Sequence, residues 1–177
     1  LDEIVNAAKR ASDLSRQMLA YSGRGRFLIE PVDISRIISD ISQLLSASIS
    51  KQSKLTLKLR EDLPAVEGDA TQLRQVAMNL ITNASEAIGE SEGEISAETG
   101  MASFTRAELD MMILGSDIPE GRYLFLTIRD TGCGMTKETL NRIFEPFFTT
   151  KFTGRGLGMA AVMGIITKEV GDGSGGE

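Results

Sequence analysis

Residues 75–87 read QVAMNLITNASEA and predict the middle of a long helix that begins near Asp69 and ends near Ile88. Asn79 and Asn83 stand four residues apart, so a helix places both amides on one face. An amide carbonyl is a hard oxygen ligand, which Mg²⁺ accepts together with water and phosphate oxygens. The pattern therefore indicates either a site for a metal and a nucleotide or a solvated helix surface.

Two further elements are predicted before this helix. Asp33 is an N-cap candidate for a helix with an apolar stripe. The stripe consists of Ile34, Ile37, Ile38, Ile41, Leu44 and Leu45. Residues 55–60 alternate between apolar and polar side chains, which predicts a strand that ends before Pro64. We expect the helix to cover a sheet that contains this strand.

Two strands are predicted after the long helix. Residues 94–98 predict a short strand, and residues 123–129 predict a longer and more buried one. The two could pair as an antiparallel hairpin. The long connection between them, residues 100–121, includes a candidate short helix over residues 106–112 and is treated as a peripheral insertion.

The buried strand is followed directly by Asp130-Thr131-Gly132-Cys133-Gly134-Met135. Two glycines allow tight turns and the close approach of a flat ligand. In α/β sheets, ligand crevices form where strands end, and a carboxylate such as Asp130 can accept a hydrogen bond from an exocyclic amine like that of adenine. The alternative is an ordinary Asp-Thr-Gly turn.

A glycine run, residues 154–158 (GRGLG), lies at the start of the last predicted helix, residues 157–168. Free backbone N–H groups and a helix N-terminus attract phosphate, and Lys151 and Arg155 add positive charge. The alternative is a mobile loop with incidental basic residues. Residues 171–176 are rich in glycine and predict a flexible tail, and no final strand is evident.

Three of the seven phenylalanines lie in residues 143–151, which read IFEPFFTTK. Such an aromatic cluster usually anchors a loop to the core. We expect it to hold a lid over the ligand.

The first residues predict a separate unit. Residues 1–21 have apolar side chains at helical spacing, which predicts an amphipathic helix that packs against another helix. Residues 23–26 read GRGR and break this pattern. We place a domain boundary there.

Composition narrows the range of functions. The 177 residues carry a net charge of -6, which disfavours nucleic-acid binding. No apolar stretch reaches the ~20 residues that cross a bilayer. No membrane span and a cytoplasmic location are therefore expected. The chain has one cysteine, Cys133, and no histidine, so a Cys/His zinc site is not expected and any catalysis must use carboxylates, amides, backbone groups or a metal.

Bacterial sensor histidine kinases have ATP-binding domains whose N, G1, F and G2 boxes resemble, in the same order and spacing, residues 75–87, 130–135, 143–151 and 154–158. The resemblance extends over most of the chain. It implies an α/β two-layer sandwich, in which a mixed sheet is covered on one face by helices and preceded by one amphipathic helix.

The resemblance also implies a division of the chain. Residues 1–23 resemble the second helix of that family's dimerisation and phosphotransfer hairpin, residues 24–30 form a linker, and residues 31–177 form the ATP-binding catalytic domain. Homodimerisation of the full-length kinase and a response regulator receiver domain as partner follow from the same resemblance.

Site roles are implied in the same way. Asn83 would coordinate Mg²⁺ with help from Asn79, Asp130 would recognise adenine, and Gly132 and Gly134 would shape the base pocket. The full set of implied ATP contacts is Asn79, Asn83, Asp130, Gly132, Gly134, Met135, Phe148, Lys151, Gly154, Arg155, Gly156, Leu157 and Gly158.

Departures from the family leave alternatives open. The family's phosphoacceptor histidine is absent, so no catalytic residue is assigned and self-phosphorylation of this chain is not expected. The family's strands and Gly-Thr box after the last helix are not reproduced. The first alternative is an ATPase of the same superfamily that hydrolyses ATP. Such enzymes carry Glu at the position of Asn79, and a neutral amide cannot act as a general base. A pseudokinase that serves only as an interaction module is the second alternative.

Overall fold

The computed structural model describes residues 28–45, 49, 52–113, 118–151 and 156–172. For residues 168–172 it describes the backbone only. The helix predicted for residues 1–23 and residues 24–27 of the predicted linker lie outside this part of the chain.

Ten elements follow one another along the described chain. They are β1 (Glu30–Val32), α1 (Ile34–Leu45), β2 (Ser53–Lys58), β3 (Val66–Gly68), α2 (Ala70–Ile88), β4 (Gly93–Phe104), α3 (Arg106–Leu109), β5 (Gly121–Asp130), α4 (Lys137–Arg142) and α5 (Gly158–Asp172).

The main sheet has the strand order β2-β4-β5. Strand β2 runs parallel to β4, with Leu55 opposite Ile95, and β4 runs antiparallel to β5, with Ile95 opposite Asp130. The predicted antiparallel hairpin is confirmed, and the sheet is mixed as expected. Strands β1 and β3 form a separate antiparallel pair.

The hydrophobic core lies between the main sheet and helices α1 and α2. Its fully buried large side chains are Ile38 and Ile41 on α1, Ile81 on α2 and Ile95 on β4. On the opposite face of the sheet the Thr56 hydroxyl donates to the Glu94 carboxylate in an exposed position. The predicted α/β architecture, with helices packed on a mixed sheet, is confirmed.

A small polar network ties α1 to the sheet. The Ser35 hydroxyl lies 2.7 Å from the Thr99 hydroxyl and donates to the carbonyl of Arg60, also at 2.7 Å. The backbone N–H of Arg60 donates to the same Thr99 oxygen. Ser35 and Thr99 are buried, so these bonds offset the cost of removing two hydroxyls from water.

Helix α2 begins at a buried cap. The Asp69 carboxylate accepts hydrogen bonds from the N–H groups of Thr71 and Gln72 at 2.8 and 3.2 Å. Its second oxygen accepts from the N–H of Leu28, which joins the helix start to the chain before β1. Asp69 therefore sets both the first residue of α2 and its attachment to the rest of the domain.

Several predicted boundaries differ from the structure. Strand β4 continues to Phe104, six residues beyond its predicted end, because β5 pairs with it from Ile95 to Phe104. The peripheral connection therefore begins at Thr105, and α3 ends at Leu109. Helix α5 extends to Asp172, so the predicted flexible tail was wrong for its first two residues. The short elements β1, β3 and α4 were missed.

Among the helices in the described ranges, none combines the length and apolar character that a membrane crossing requires.

We predict that Asp69→Ala lowers the free energy of unfolding by about 1 to 2 kcal/mol, because it leaves three partly buried N–H donors without their acceptor. Urea denaturation would measure the loss. The matched control is Asp33→Ala, which removes the exposed cap that accepts from the N–H of Arg36 at the start of α1 and should cost about 0.5 kcal/mol. Equal losses in the two variants would contradict the assigned role of Asp69.

Candidate functional site

A cavity of 790 Å³ lies between α2, the chain after β5, the segment 143–151 and the start of α5. Helix α2 precedes the other three parts by more than 40 residues in sequence and meets them only in the folded domain, whereas those three parts follow one another closely after β5. The predicted residues that line the cavity are Asn79, Asn83, Gly134, Met135, Phe148, Lys151, Gly156, Leu157 and Gly158.

The two amides of α2 lie against the first residue of α5. The side-chain nitrogen of Asn79 donates to the carbonyl of Gly158 at 3.2 Å. A Cβ atom at Gly158 would lie 3.8 Å from the side-chain nitrogen of Asn83. The N-terminus of α5 therefore meets the amide pair, and its first-turn N–H groups place partial positive charge at the cavity.

A second apolar cluster holds α5 in this position. Val76 on α2 packs with Val162 and Ile165 on α5, and Leu80 and Ile166 complete the contact. The preceding Leu157 is 5% exposed. Burial of these side chains, rather than the single amide hydrogen bond, sets the distance between the two helices.

The turn after β5 docks on the C-terminal end of α2. The Asp130 carboxylate accepts from the N–H of Gly132 at 2.8 Å, and the N–H of Cys133 donates to the carbonyl of Ala87 at 3.0 Å. A Cβ atom at Gly132 would lie 2.5 Å from the carbonyl carbon of Ala87, so only glycine fits this approach. Gly134 has a φ of 66°, in the left-handed region that also favours glycine.

Not every predicted contact lines the cavity. Asp130 is exposed at the end of β5, and neither it nor Gly132 is part of the cavity wall. Gly132 instead allows the close contact with α2, which brings Gly134 and Met135 to the wall. Gly154 and Arg155 lie outside the described residues.

The aromatic segment is only partly anchored. Phe148 lines the cavity, and the guanidinium of Arg142 lies 4.3 Å from the centre of its ring. Phe147 is 64% exposed and has a φ of 68°. Its N–H donates to the carbonyl of Gly156 at 2.8 Å, so the backbone rather than the Phe147 ring connects this segment to the glycine run.

Sequence reasoning missed Glu86 in the cavity wall. The Lys151 amine forms an ion pair with the Glu86 carboxylate, which joins segment 143–151 to α2. Glu86 follows Asn83 by three residues, so helical spacing could have placed it on the same side of α2. Among the described lining residues, these two alone carry a formal charge.

The donor set of the cavity fits a hard cation that shares its ligands with a phosphate. Within the described residues no cluster of three or more Asp, Glu, His or Cys side chains could hold a metal by itself. The amide oxygen of Asn83 is a ligand type that Mg²⁺ accepts, and phosphate oxygens and water would complete its shell.

Comparison with known proteins identifies the family of the chain. Residues 68–175 match the family described as histidine kinase-, DNA gyrase B- and HSP90-like ATPases. The chain belongs to this family. Its relatives are sensor histidine kinases, which makes it an ATP-binding domain of the histidine kinase type.

Two curated relatives cover almost all of the chain. Sensor kinase CckA of Brucella abortus is 38% identical over 90% of this chain and 17% of its own length. The sensory histidine kinase/phosphatase NtrB of Rhizobium leguminosarum is 30% identical over 92% of this chain and 42% of its own length. The chain therefore spans less than half of these two relatives.

Solved structures show the same fold. The catalytic domain of histidine kinase ThkA is 29% identical, with a TM-score of 0.60 over 82% of both chains. Full-length ShkA in complex with AMPPNP has a TM-score of 0.68 over 94% of this chain and 32% of its own, at 22% identity.

We predict that Gly132→Ala lowers the free energy of unfolding by about 2 to 3 kcal/mol, because the new methyl group meets the backbone of α2. Gly134→Ala should cost only about 1 kcal/mol, since its φ is unfavourable but nothing lies within 4 Å of the added atom.

Chemical denaturation of both variants and of Gly134→Asn would check this. Asparagine tolerates a positive φ, so Gly134→Asn should recover most of the loss at that position. A Gly132→Ala variant as stable as the parent would show that the contact with Ala87 does not constrain the turn.

Proposed function

We propose that this chain binds Mg·ATP in the 790 Å³ cavity, as the catalytic part of a sensor histidine kinase. It would donate the γ-phosphoryl group of ATP to a histidine on a segment that this chain does not contain. The observation that carries the proposal is the meeting of the α2 amides, the turn after β5 and the N-terminus of α5 around one cavity. Phosphoryl transfer depends mainly on positioning and on charge stabilisation, which such an arrangement supplies.

The ends of the nucleotide would face different parts of the wall. Asp130 would accept a hydrogen bond from the adenine amine at the edge of the cavity, beside Gly134 and Met135. The phosphates would lie near the first N–H groups of α5, where the helix dipole favours negative charge. Arg155 and the neighbouring glycines would complete this end.

The metal would bind between α2 and the phosphates. Asn83 would supply an oxygen ligand, and Asn79 would orient the start of α5 through its bond to Gly158. Bound Mg²⁺ would neutralise phosphate charge and polarise the transferred group.

Phosphoryl transfer is favoured over ATP hydrolysis. Asn79 is a neutral amide, so it cannot act as a general base that takes a proton from water. Its nitrogen donates a hydrogen bond to the carbonyl of Gly158.

The biological setting follows from the relatives. Histidine kinase ThkA, in a structure that is 21% identical to this chain, forms a complex with the response regulator protein TrrA. We extend this partner class, a receiver domain, to the present chain, with residues 31–177 as catalytic domain and residues 1–23 as one helix of a dimerising hairpin. We extend the proposal to a cytoplasmic location, where ATP is available to the domain.

We predict that Mg·ATP raises the melting temperature, because a ligand that binds only the native state stabilises it. At ten times its Kd, the nucleotide should add about 1.4 kcal/mol, or roughly 3 to 5 °C for a domain of this size. Differential scanning fluorimetry with and without Mg²⁺ would measure the shift.

Two variants test the metal ligand in the same assay. Asn83→Ala should lose the Mg²⁺-dependent part of the shift, whereas Asn83→Asp keeps an oxygen ligand and should retain it. An Asn83→Ala variant with the parent's Mg²⁺ dependence would place the metal elsewhere.

We also predict that the purified chain binds ATP without labelling itself, because it contains no histidine. Addition of a separate helical hairpin that carries an acceptor histidine should produce acid-labile label on the hairpin from γ-labelled ATP, and Asn83→Ala should abolish it. Acid-labile label on this chain alone, or rapid ATP hydrolysis by it, would contradict the proposed function.

A further inference from the structure

We infer that Glu86 is a positioning residue for the nucleotide: it holds Lys151 in an ion pair at the cavity wall, and the phosphates of ATP displace its carboxylate from the amine. The inference rests on the proposed function, since ATP is the ligand that makes the exchange.

The ion pair joins two walls of the cavity. Glu86 lies on α2, three residues after Asn83, and Lys151 lies at the end of the aromatic segment. The backbone N–H of Lys151 donates to the Thr149 hydroxyl at 3.1 Å, which orients the end of that segment. Both charged side chains line the cavity, although 65 residues separate them in sequence.

The pair leaves the described wall of the cavity electrically neutral, since no other described lining residue carries a formal charge. A nucleoside triphosphate brings several negative charges to this wall. Lys151 can balance one of them only if it leaves Glu86, and an unpaired carboxylate beside the phosphates would repel them. The two interactions of Lys151 therefore compete.

The exchange is physically accessible because the pair is partly solvated. The Lys151 and Glu86 side chains are 38% and 50% exposed, and ion pairs at such sites stabilise a fold only weakly. A phosphate group offers the amine a stronger, multiply charged partner. Glu86 should thus reduce the affinity for each nucleotide in proportion to its phosphate charge.

Calorimetric titration of the parent chain and Glu86→Gln with ATP, ADP and adenosine tests this. We expect Glu86→Gln to bind ATP about three- to tenfold more tightly, ADP with a smaller gain and adenosine with no change. The gains should shrink as salt is added. Glu86→Asp, which keeps the charge, should stay close to the parent. The matched control is Glu90→Gln, which removes an exposed carboxylate outside the cavity wall and should leave all three affinities unchanged.

The role of Lys151 is tested by a double-mutant cycle. Lys151→Gln should weaken ATP binding, and Glu86→Gln should give a clearly smaller gain in that background than in the parent. An equal gain in both backgrounds would overturn the inference, because Glu86 would then act on the nucleotide by direct repulsion alone and not through Lys151. A loss of ATP affinity in Glu86→Gln that appears only with Mg²⁺ would also overturn it, because the carboxylate would be a metal ligand.

A measurement without nucleotide keeps the two proposals separate. Mass spectrometry can follow the rate at which an amine-reactive ester acylates Lys151. This rate should be higher in Glu86→Gln than in the parent, because the Lys151 amine no longer forms an ion pair with a carboxylate. An unchanged acylation rate would overturn the inference, because it would show that Glu86 does not hold the Lys151 amine. A parent chain that binds no ATP would overturn the proposed function and this inference with it, whereas ATP binding with no gain in Glu86→Gln would overturn the inference alone.

Discussion

Helix α2 has to bury one side against the sheet and expose another side to the cavity, and the site depends on this division. Ala77, Ile81 and Ala84 recur every three or four residues and are almost completely buried. Asn79 and Asn83 are offset from them, so they face away from the core. A rotation of the helix would bury the amides and expose the apolar residues, which makes the position of the amides a consequence of core packing.

The other parts of the site are positioned relative to α2. Val162 and Ile165 pack α5 against it, and the absence of a side chain at Gly132 lets the turn after β5 approach its last residues. The Asp69 cap fixes where the helix begins. The turn after β5, the segment 143–151 and the start of α5 thus meet at one cavity because each contacts the same helix.

The charge of the site differs from that of the whole chain. The chain carries a net charge of -6, whereas the described cavity wall has one positive and one negative side chain in contact. Such a wall draws anions through backbone N–H groups at the start of α5 more than through free cations. Its response to a nucleotide then depends on which partner Lys151 takes.

The sequence by itself determined the elements with a clear local pattern: helix α1 after Asp33, helix α2, strand β5 and the start of α5, together with nine of the described residues that line the cavity. Periodicity and capping depend on neighbours in the chain, so they can be read without a structure. Only the tertiary structure decided the extension of β4 to Phe104, the pairing of β1 with β3, and the ion pair between Glu86 and Lys151. Each of these depends on contacts between residues far apart in the chain, and no local pattern specifies which distant segment will supply the partner.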